Sequence, residues 1–302
     1  AEMVQAILHD LCLPSLVSKR PVWDTFPGAW YTKAADVIMP NGRTLQVATY
    51  HHYKDQWAGP FDLTYEDSDG STKPCHQTTF GMSERLLGAV VGMHGDDNGL
   101  IMPPAVAPIQ IVLMPIAQHV DSNVIIKVRN LASDLKLAGF RVHVDERDIR
   151  PGAKHFDWEI KGVPLRVEIG PRDLESNSCV VSMRTGGKEQ YPLEGFSNTA
   201  NDLLVSVASA LRENAQTIAD GLIRKLPSFS TDDEDTLFLN EPVEDGIVYE
   251  IAFDGTDSDA EILEKSTGLT LLGEADNPFS KPVPCAVTGK LTTCRQYLAR
   301  MY

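Results

Sequence analysis

Apolar and polar positions in this chain follow two periods, and the switches between them divide it into three stretches. From residue 1 to about 107 the pattern is short and broken. Residues 43–51 alternate behind an Asn41-Gly42 turn and read as the second arm of a β-hairpin. An extended stretch over 59–65 runs into the turn cluster Glu66-Asp67-Ser68-Asp69-Gly70. A strand is expected over 76–80. A helix is expected over 83–93, where Leu86, Leu87, Val90 and Val91 recur at helical spacing until Gly95-Asp96-Asp97-Asn98-Gly99 stops it. The result is an incomplete antiparallel α+β layer whose strands lack partners nearby, bounded by Pro103-Pro104 and Pro108.

The middle stretch, 108–226, is clearer. Residues 109–116 are an almost continuous apolar run, which suits a strand buried on both faces. Asp121 or Ser122 can cap a helix in which Val124, Val128, Leu131, Leu135 and Ala138 line one face before Gly139 stops it. Phe140, Val142 and Val144 then alternate with Arg141, His143 and Asp145. Strand, helix and strand make a βαβ unit, so the two strands are expected to be parallel. A strand pair over 164–169 and 178–183, joined by a Gly170-Pro171-Arg172-Asp173 turn, precedes a long helix over about 199–226. The last stretch, 227–302, opens with a Ser- and Asp-rich loop over 227–235, followed by strands over 247–253 and 269–272 and a helix over 257–266. The class is therefore α+β, in three domains: 1–107, 108–226 and 227–302.

Composition adds little until it is divided along the chain. With 302 residues, 42% hydrophobic and 23% charged, the chain is globular. No apolar run reaches the roughly 20 residues that cross a bilayer, so no membrane partner is expected. The start, Ala1-Glu2-Met3-Val4, carries neither a secretory signal nor an initiator Met. Five scattered cysteines, never in a CxxC pair, argue for a reducing, cytoplasmic setting. The net charge of −15 is concentrated late: residues 228–302 hold 15 Asp/Glu against 5 Lys/Arg, and the rest hold 27 against 22. A polyanionic partner must therefore avoid the tail. Within 141–173 seven basic residues balance seven acidic ones, with His143 and His155 added; a mixed solvated surface and a nucleic-acid face both fit. There is no GxGxxG, HExxH or GxSxG, and Gly289-Lys290 lacks the flanking residues of a phosphate loop. His51-His52 has no third metal ligand at a useful spacing and reads better as buried or substrate-facing polar residues.

Two longer runs carry a resemblance. Gln77-Thr78-Thr79-Phe80-Gly81-Met82-Ser83-Glu84-Arg85-Leu86, continuing through His94-Gly95-Asp96-Asp97-Asn98-Gly99 to Pro103-Pro104, resembles motif 3 of class II aminoacyl-tRNA synthetases. Arg150-Pro151-Gly152-Ala153-Lys154-His155-Phe156-Asp157-Trp158-Glu159-Ile160-Lys161-Gly162-Val163-Pro164, with Gly170-Pro171-Arg172-Asp173, completes a likeness to the archaeal/eukaryotic prolyl-tRNA synthetase family. Trp23-Asp24-Thr25-Phe26-Pro27-Gly28, Leu45-Gln46, Thr49 and His51 fit it too. The likeness covers nearly all of 1–226.

It implies the C-terminal part of a class II catalytic domain, an anticodon-binding domain of mixed sheet and helices, and a small C-terminal domain. The implied activity is ATP-dependent ligation of proline to tRNA(Pro) through prolyl-adenylate, with Mg²⁺ as cofactor and a homodimer as the complete enzyme. Such a site must stabilise negative charge growing on the phosphates of ATP, and a guanidinium opening a helix, Arg85, suits that task beside the small Gly81 and Ser83. The resemblance assigns Gln46, Thr49, Ser83 and Arg85 to ATP, and Thr49, His51, Phe80 and Gly81 to proline. The alternative for Gln46 and Thr49 is that they are strand residues facing solvent. Arg150, Lys154, Trp158, Glu159, Lys161 and Arg172 are expected on loops, reading the guanines of the proline anticodon by stacking and hydrogen bonds; Trp158 fits a core role as well.

Departures from the family are local. Phe80 stands where Trp is usual, and His52-Tyr53-Lys54 replaces a Leu-Gly element. Cys285-Ala286-Val287-Thr288-Gly289-Lys290 has Thr288 in place of the second Cys of a zinc motif whose first pair is absent, so no zinc is expected and an apolar core must hold this domain. The terminal Tyr302 is either an ordinary terminus or directed toward the catalytic pocket. Motifs 1 and 2 have no counterpart, so the chain is expected to be incomplete at its N-terminus. The alternative is a non-catalytic paralogue that binds tRNA or a protein.

Overall fold

The computed structural model describes residues 2–231 and 237–302. They form two compact units, one from residues 2–4, 14–89, 217–231 and 237–302, the other from 5–13 and 90–216.

The first unit is built on an eight-stranded sheet, in the spatial order Ile223–Lys225, Val248–Ala252, Arg295–Ala299, Thr270–Ala275, Leu16–Lys19, Tyr31–Ile38, Thr44–Lys54 and Gln77–Met82. The first pair is parallel and the others antiparallel. The partners that the opening strands lack come from the far end of the chain, with Ser18 opposite Ala275 and Lys19 opposite Glu274. Sequence reading sets 227–302 apart as a domain of its own; its strands instead extend the sheet begun by residues 16–54. The seam is polar. Ser18 Oγ donates to Leu272 O at 2.7 Å, and Arg20 Nη1 donates to the same oxygen at 2.9 Å. Arg20 Nη2 donates to both carboxylate oxygens of Asp36, at 2.8 and 2.9 Å, where both residues are buried.

Around this seam the apolar residues Ile38, Val248, Leu272, Tyr297 and Ala299 close one core. The helix Asp257–Thr267 closes another by packing Ala260 and Leu263 against Ile251, Leu271 and Leu298. Thr256 and Asp259 cap that helix reciprocally, and Gly268 ends it at φ 66°. Cys285 is buried in the same core. Residues 59–65 are mostly turn, with Asp62 at φ 50°; only Thr64–Glu66 is a strand, paired with Thr72–Pro74 across the expected turn. The expected loop over 227–235 is in part the strand Phe229–Thr231, and residues 232–235 lie outside the described residues.

In the second unit Ile111–Pro115 is buried at every position and lies inside a five-stranded sheet, between Leu165–Ile169 and the edge strand Val142–Val144. Val142–Val144 and Leu165–Ile169 flank it, both parallel, and Ser178–Met183 and Lys188–Pro192 continue antiparallel. The helix Asn123–Leu137 buries Val124, Val128, Leu131 and Leu135 as its spacing requires. Asp121 Oδ1 accepts the Asn123 N–H at 2.8 Å. Ala138 is exposed at the C-cap, and Gly139 turns the chain at φ 94°. Residues 151–160, read from sequence as loop, form the helix Pro151–Ile160, with Pro151 in its first turn. The turn after Gly170 is the short helix Pro171–Glu175, and the long helix is Phe196–Leu222. Among the described residues no helix is long and apolar enough to cross a membrane.

Candidate active site

The strand Thr44–Lys54 carries the candidate residues, and a β-bulge decides which way they face. Its partner strand sets Thr32 opposite His51, Ala34 opposite Thr49 and Asp36 opposite Gln46, with the register slipping between Ala35 and Asp36. Directly paired residues share a face, and residues two apart on one strand do too. Gln46, Thr49 and His51 therefore lie on one face, although the odd spacing of 46 and 49 would separate them in a regular strand. On the other side Gly81 pairs with Thr49 and Thr79 with His51. A Cβ on Gly81 would stand 2.9 Å from Thr49 Oγ1, so the close approach needs a glycine.

At one end of this face is a cleft of about 340 Å³, lined by Gln46, Thr49, Gly81, Ser83, Glu84 and Arg85. Arg85 opens the helix Arg85–His94, and Ser83 Oγ accepts its N–H at 3.3 Å. The guanidinium is exposed and has no ion pair among the described residues. Next to His51 is a larger cleft of about 870 Å³, lined by Phe26, Tyr53, Trp57, Phe61, His76 and Thr79. The His51 ring lies 4.7 Å from that of Phe26, and its Nδ1 is 2.9 Å from Thr32 Oγ1. Thr32 Oγ1 also accepts the Phe26 N–H at 2.9 Å, which fixes the hydroxyl that the His51 ring meets. Burial pushes the His51 pKa down, which favours the neutral imidazole.

Phe80 does not join this face. It pairs with Tyr50, edge-to-face at 5.9 Å, and points to the other side of the sheet, 63% exposed. The aromatic wall beside His51 comes instead from Phe26, Tyr53 and Trp57, which the turn-rich segment around residue 57 hides from any periodic reading. Gly28 at φ 81° makes room for it, since a Cβ there would meet the Trp57 ring at 2.7 Å. The cleft around Arg85 has Glu84 as its carboxylate, and no group of three His, Cys, Asp or Glu side chains among the described residues could hold a metal ion. The residues present do not make a Mg²⁺ site by themselves, and none is assigned to one. Tyr302 rests on the start of the strand Thr44–Lys54, its N–H donating to Thr44 O at 3.1 Å and its hydroxyl accepting from Asn41 Nδ2 at 2.8 Å.

In the second unit the expected RNA-facing residues divide. Lys154 and Trp158 are buried on the inner side of their helix and converge on Asp145: Trp158 Nε1 donates to Asp145 Oδ2 at 2.7 Å, and Lys154 Nζ to its carbonyl at 2.9 Å. Arg147 adds two bonds to the Asp145 carboxylate, at 2.9 and 2.8 Å. Burial alone would raise the pKa of this carboxyl, but those bonds overcome it and hold it far below the usual range. Both side chains are thus taken up by the fold. Arg150, Lys161 and Arg172 are exposed. Glu159 is half-buried and 3.5 Å from Arg166 Nη1, a partner that its place on a strand conceals in the sequence. Beside them Glu168 meets His155 at 3.2 Å and Lys188 at 3.1 Å.

Residues 110–203 match the anticodon binding domain family. The chain is 52% identical over 184 residues to the proline--tRNA ligase of Thermococcus kodakarensis, covering 61% of this chain and 38% of that one. It is 40% identical over 294 residues to that of Methanococcoides burtonii, covering 97% of this chain and 60% of that one. Its fold matches a Giardia lamblia prolyl-tRNA synthetase solved in complex with prolyl-adenylate, with TM-score 0.86 and 30% identity, over 100% of this chain and 65% of that one. The chain thus spans less than two thirds of the length of these relatives. Within that span, its sequence is similar to proline--tRNA ligases and its fold to a prolyl-tRNA synthetase.

Proposed function

We propose that this chain carries the motif 3 side of a prolyl-adenylate site together with the anticodon-reading part of a prolyl-tRNA synthetase, acting on ATP, proline and tRNA(Pro). The observation that carries this reading is the bulge-aligned face on which Gln46, Thr49 and His51 run from the Arg85 cleft to the aromatic one. The proline carboxylate attacks the α-phosphorus of ATP, the bond to the bridging oxygen breaks, and pyrophosphate leaves; a hydroxyl of the terminal tRNA ribose then attacks the prolyl carbonyl, the bond to the phosphate oxygen breaks, and AMP leaves. Arg85 is the catalytic residue, offsetting charge on the phosphates, with Ser83 holding its backbone and Gln46 and Thr49 contacting the nucleotide. Thr49, Gly81 and the His51 ring bound the proline site, and Phe26, Tyr53 and Trp57 provide its apolar wall. When bound, Mg²⁺ neutralises phosphate charge. Arg150, Glu159, Lys161 and Arg172 are the tRNA-facing residues that remain accessible. Five free cysteines support a cytoplasmic setting, and family resemblance supports a homodimer.

Proline-dependent exchange of pyrophosphate into ATP tests the catalytic half, and Arg85→Ala is expected to weaken nucleotide binding about tenfold or more without lowering the melting temperature. A gel shift with tRNA(Pro) whose anticodon guanines are altered tests the other half. A second reading is a binding-only paralogue, favoured by the single cation among the described residues lining the cleft; it predicts RNA binding without exchange.

A further inference from the structure

Phe156 sits midway along the helix Pro151–Ile160, whose buried residues are Lys154 and Trp158, yet it is 61% exposed. One turn earlier stand Gly152 and Ala153, too small to cover it, and a Cβ at Gly152 would meet nothing within 4 Å. Helical side chains lean toward the N-terminus, so the ring lies over that open turn. One turn later comes Glu159 with its partner Arg166, and the adjacent His155 faces Glu168. An uncovered phenyl therefore borders a set of half-buried charges able to bond base edges. Exposed Arg150 and Lys161 stand at the two ends of the helix, where they can attract a phosphate backbone.

We propose that Phe156 is a stacking platform for the unpaired base at the variable first position of the proline anticodon, a proposal that rests on the anticodon reading above. Proline codons differ only in their third letter, so their anticodons share two guanines and vary at one place. Shared guanines call for groups that bond particular edges. The variable base calls for a surface blind to edges, and a phenyl ring has no donor or acceptor while every base has a π face. The match of residues 110–203 to an anticodon binding domain makes RNA the occupant expected of this patch.

The test is binding of the wild-type chain, Phe156→Ala and Phe156→Trp to tRNA(Pro) transcripts carrying each of the four bases at the variable position, and to transcripts with either guanine replaced. Phe156→Ala is expected to weaken binding about tenfold on all four while leaving guanine discrimination intact, and Phe156→Trp to restore it. A 2-aminopurine at the variable position is expected to be quenched on binding the wild type and not the alanine variant, which separates stacking from any change in folding. Unchanged affinity, a loss confined to one base, or a tryptophan as weak as alanine overturns the proposal. Loss of self-association with RNA binding intact assigns the ring to a protein contact and overturns it as well. A wild type indifferent to the guanines overturns the anticodon reading and this proposal together; retained guanine discrimination with an indifferent Phe156 overturns this proposal alone.

Discussion

A methyl group at Gly81 would press on Thr49 Oγ1 from 2.9 Å, in the middle of the face that the proposed substrates share. Gly81→Ala is therefore expected to cost about 1–3 kcal/mol by urea denaturation, as overpacking does. Adding Thr49→Ala, which removes the clashing oxygen, should return most of it, so the two changes will be far from additive. A second residue-scale expectation concerns acid. Hydrogen bonds from the Arg184 guanidinium hold the Asp96 carboxyl at about 2, below its ordinary 3.8. A carboxyl lowered by folding adds stability that is full above the ordinary value and lost as pH falls through the lowered one. Denaturation midpoints of the wild type should thus fall between pH 3.8 and about 2, and Asp96→Asn should flatten part of that fall. The place of Arg85 at a helix start is legible in the sequence, where Leu86, Leu87, Val90 and Val91 recur at helical spacing behind it, and its role toward ATP is the proposal above. Phe80 was misjudged because adjacency in a strand sends neighbours to opposite faces, and only the pairing with Tyr50 shows which side it took.

At the level of elements, amphipathic spacing disclosed what is regular: the helix Asn123–Leu137, the parallel pair around it and the hairpin at Asn41-Gly42. The helix Pro151–Ile160 escaped because its inward positions are Lys154 and Trp158, so no apolar stripe announces it. What holds that helix is the buried carboxylate of Asp145. Asp145→Ala leaves Trp158 Nε1 unpaired and the buried Lys154 without its counter-charge, while Arg147 keeps only Asp157, and is expected to cost about 3 kcal/mol or more. Asp145→Leu should cost no less, since volume does not replace the bonds. Near-ultraviolet dichroism from Trp158 and denaturant midpoints would check this, and an Asp145→Ala chain as stable as wild type would contradict it. The bulge between Val47 and Ala48 was equally invisible, for it is a property of two strands and not of one.

At the scale of the molecule, the division into three domains follows composition, and the acidic bias of 228–302 is real, but backbone pairing does not respect it. Because Leu16–Lys19 pairs with Thr270–Ala275, and Arg20 bonds Leu272 O and Asp36 together, the opening and closing strands should open as one cooperative unit. Native-state hydrogen exchange is expected to give the same opening free energy for amides in Tyr31–Ile38 and Thr270–Ala275; markedly faster exchange in the latter would show a separable domain. The same seam has a bearing on biosynthesis. A ribosome delivers residues 16–54 before their sheet neighbours at 270–299, with the whole of 90–216 in between. The intervening unit can fold as it emerges, while the earlier strands wait with a bare edge for some two hundred residues of translation, and a nascent chain stalled before residue 270 is the species that most needs a chaperone.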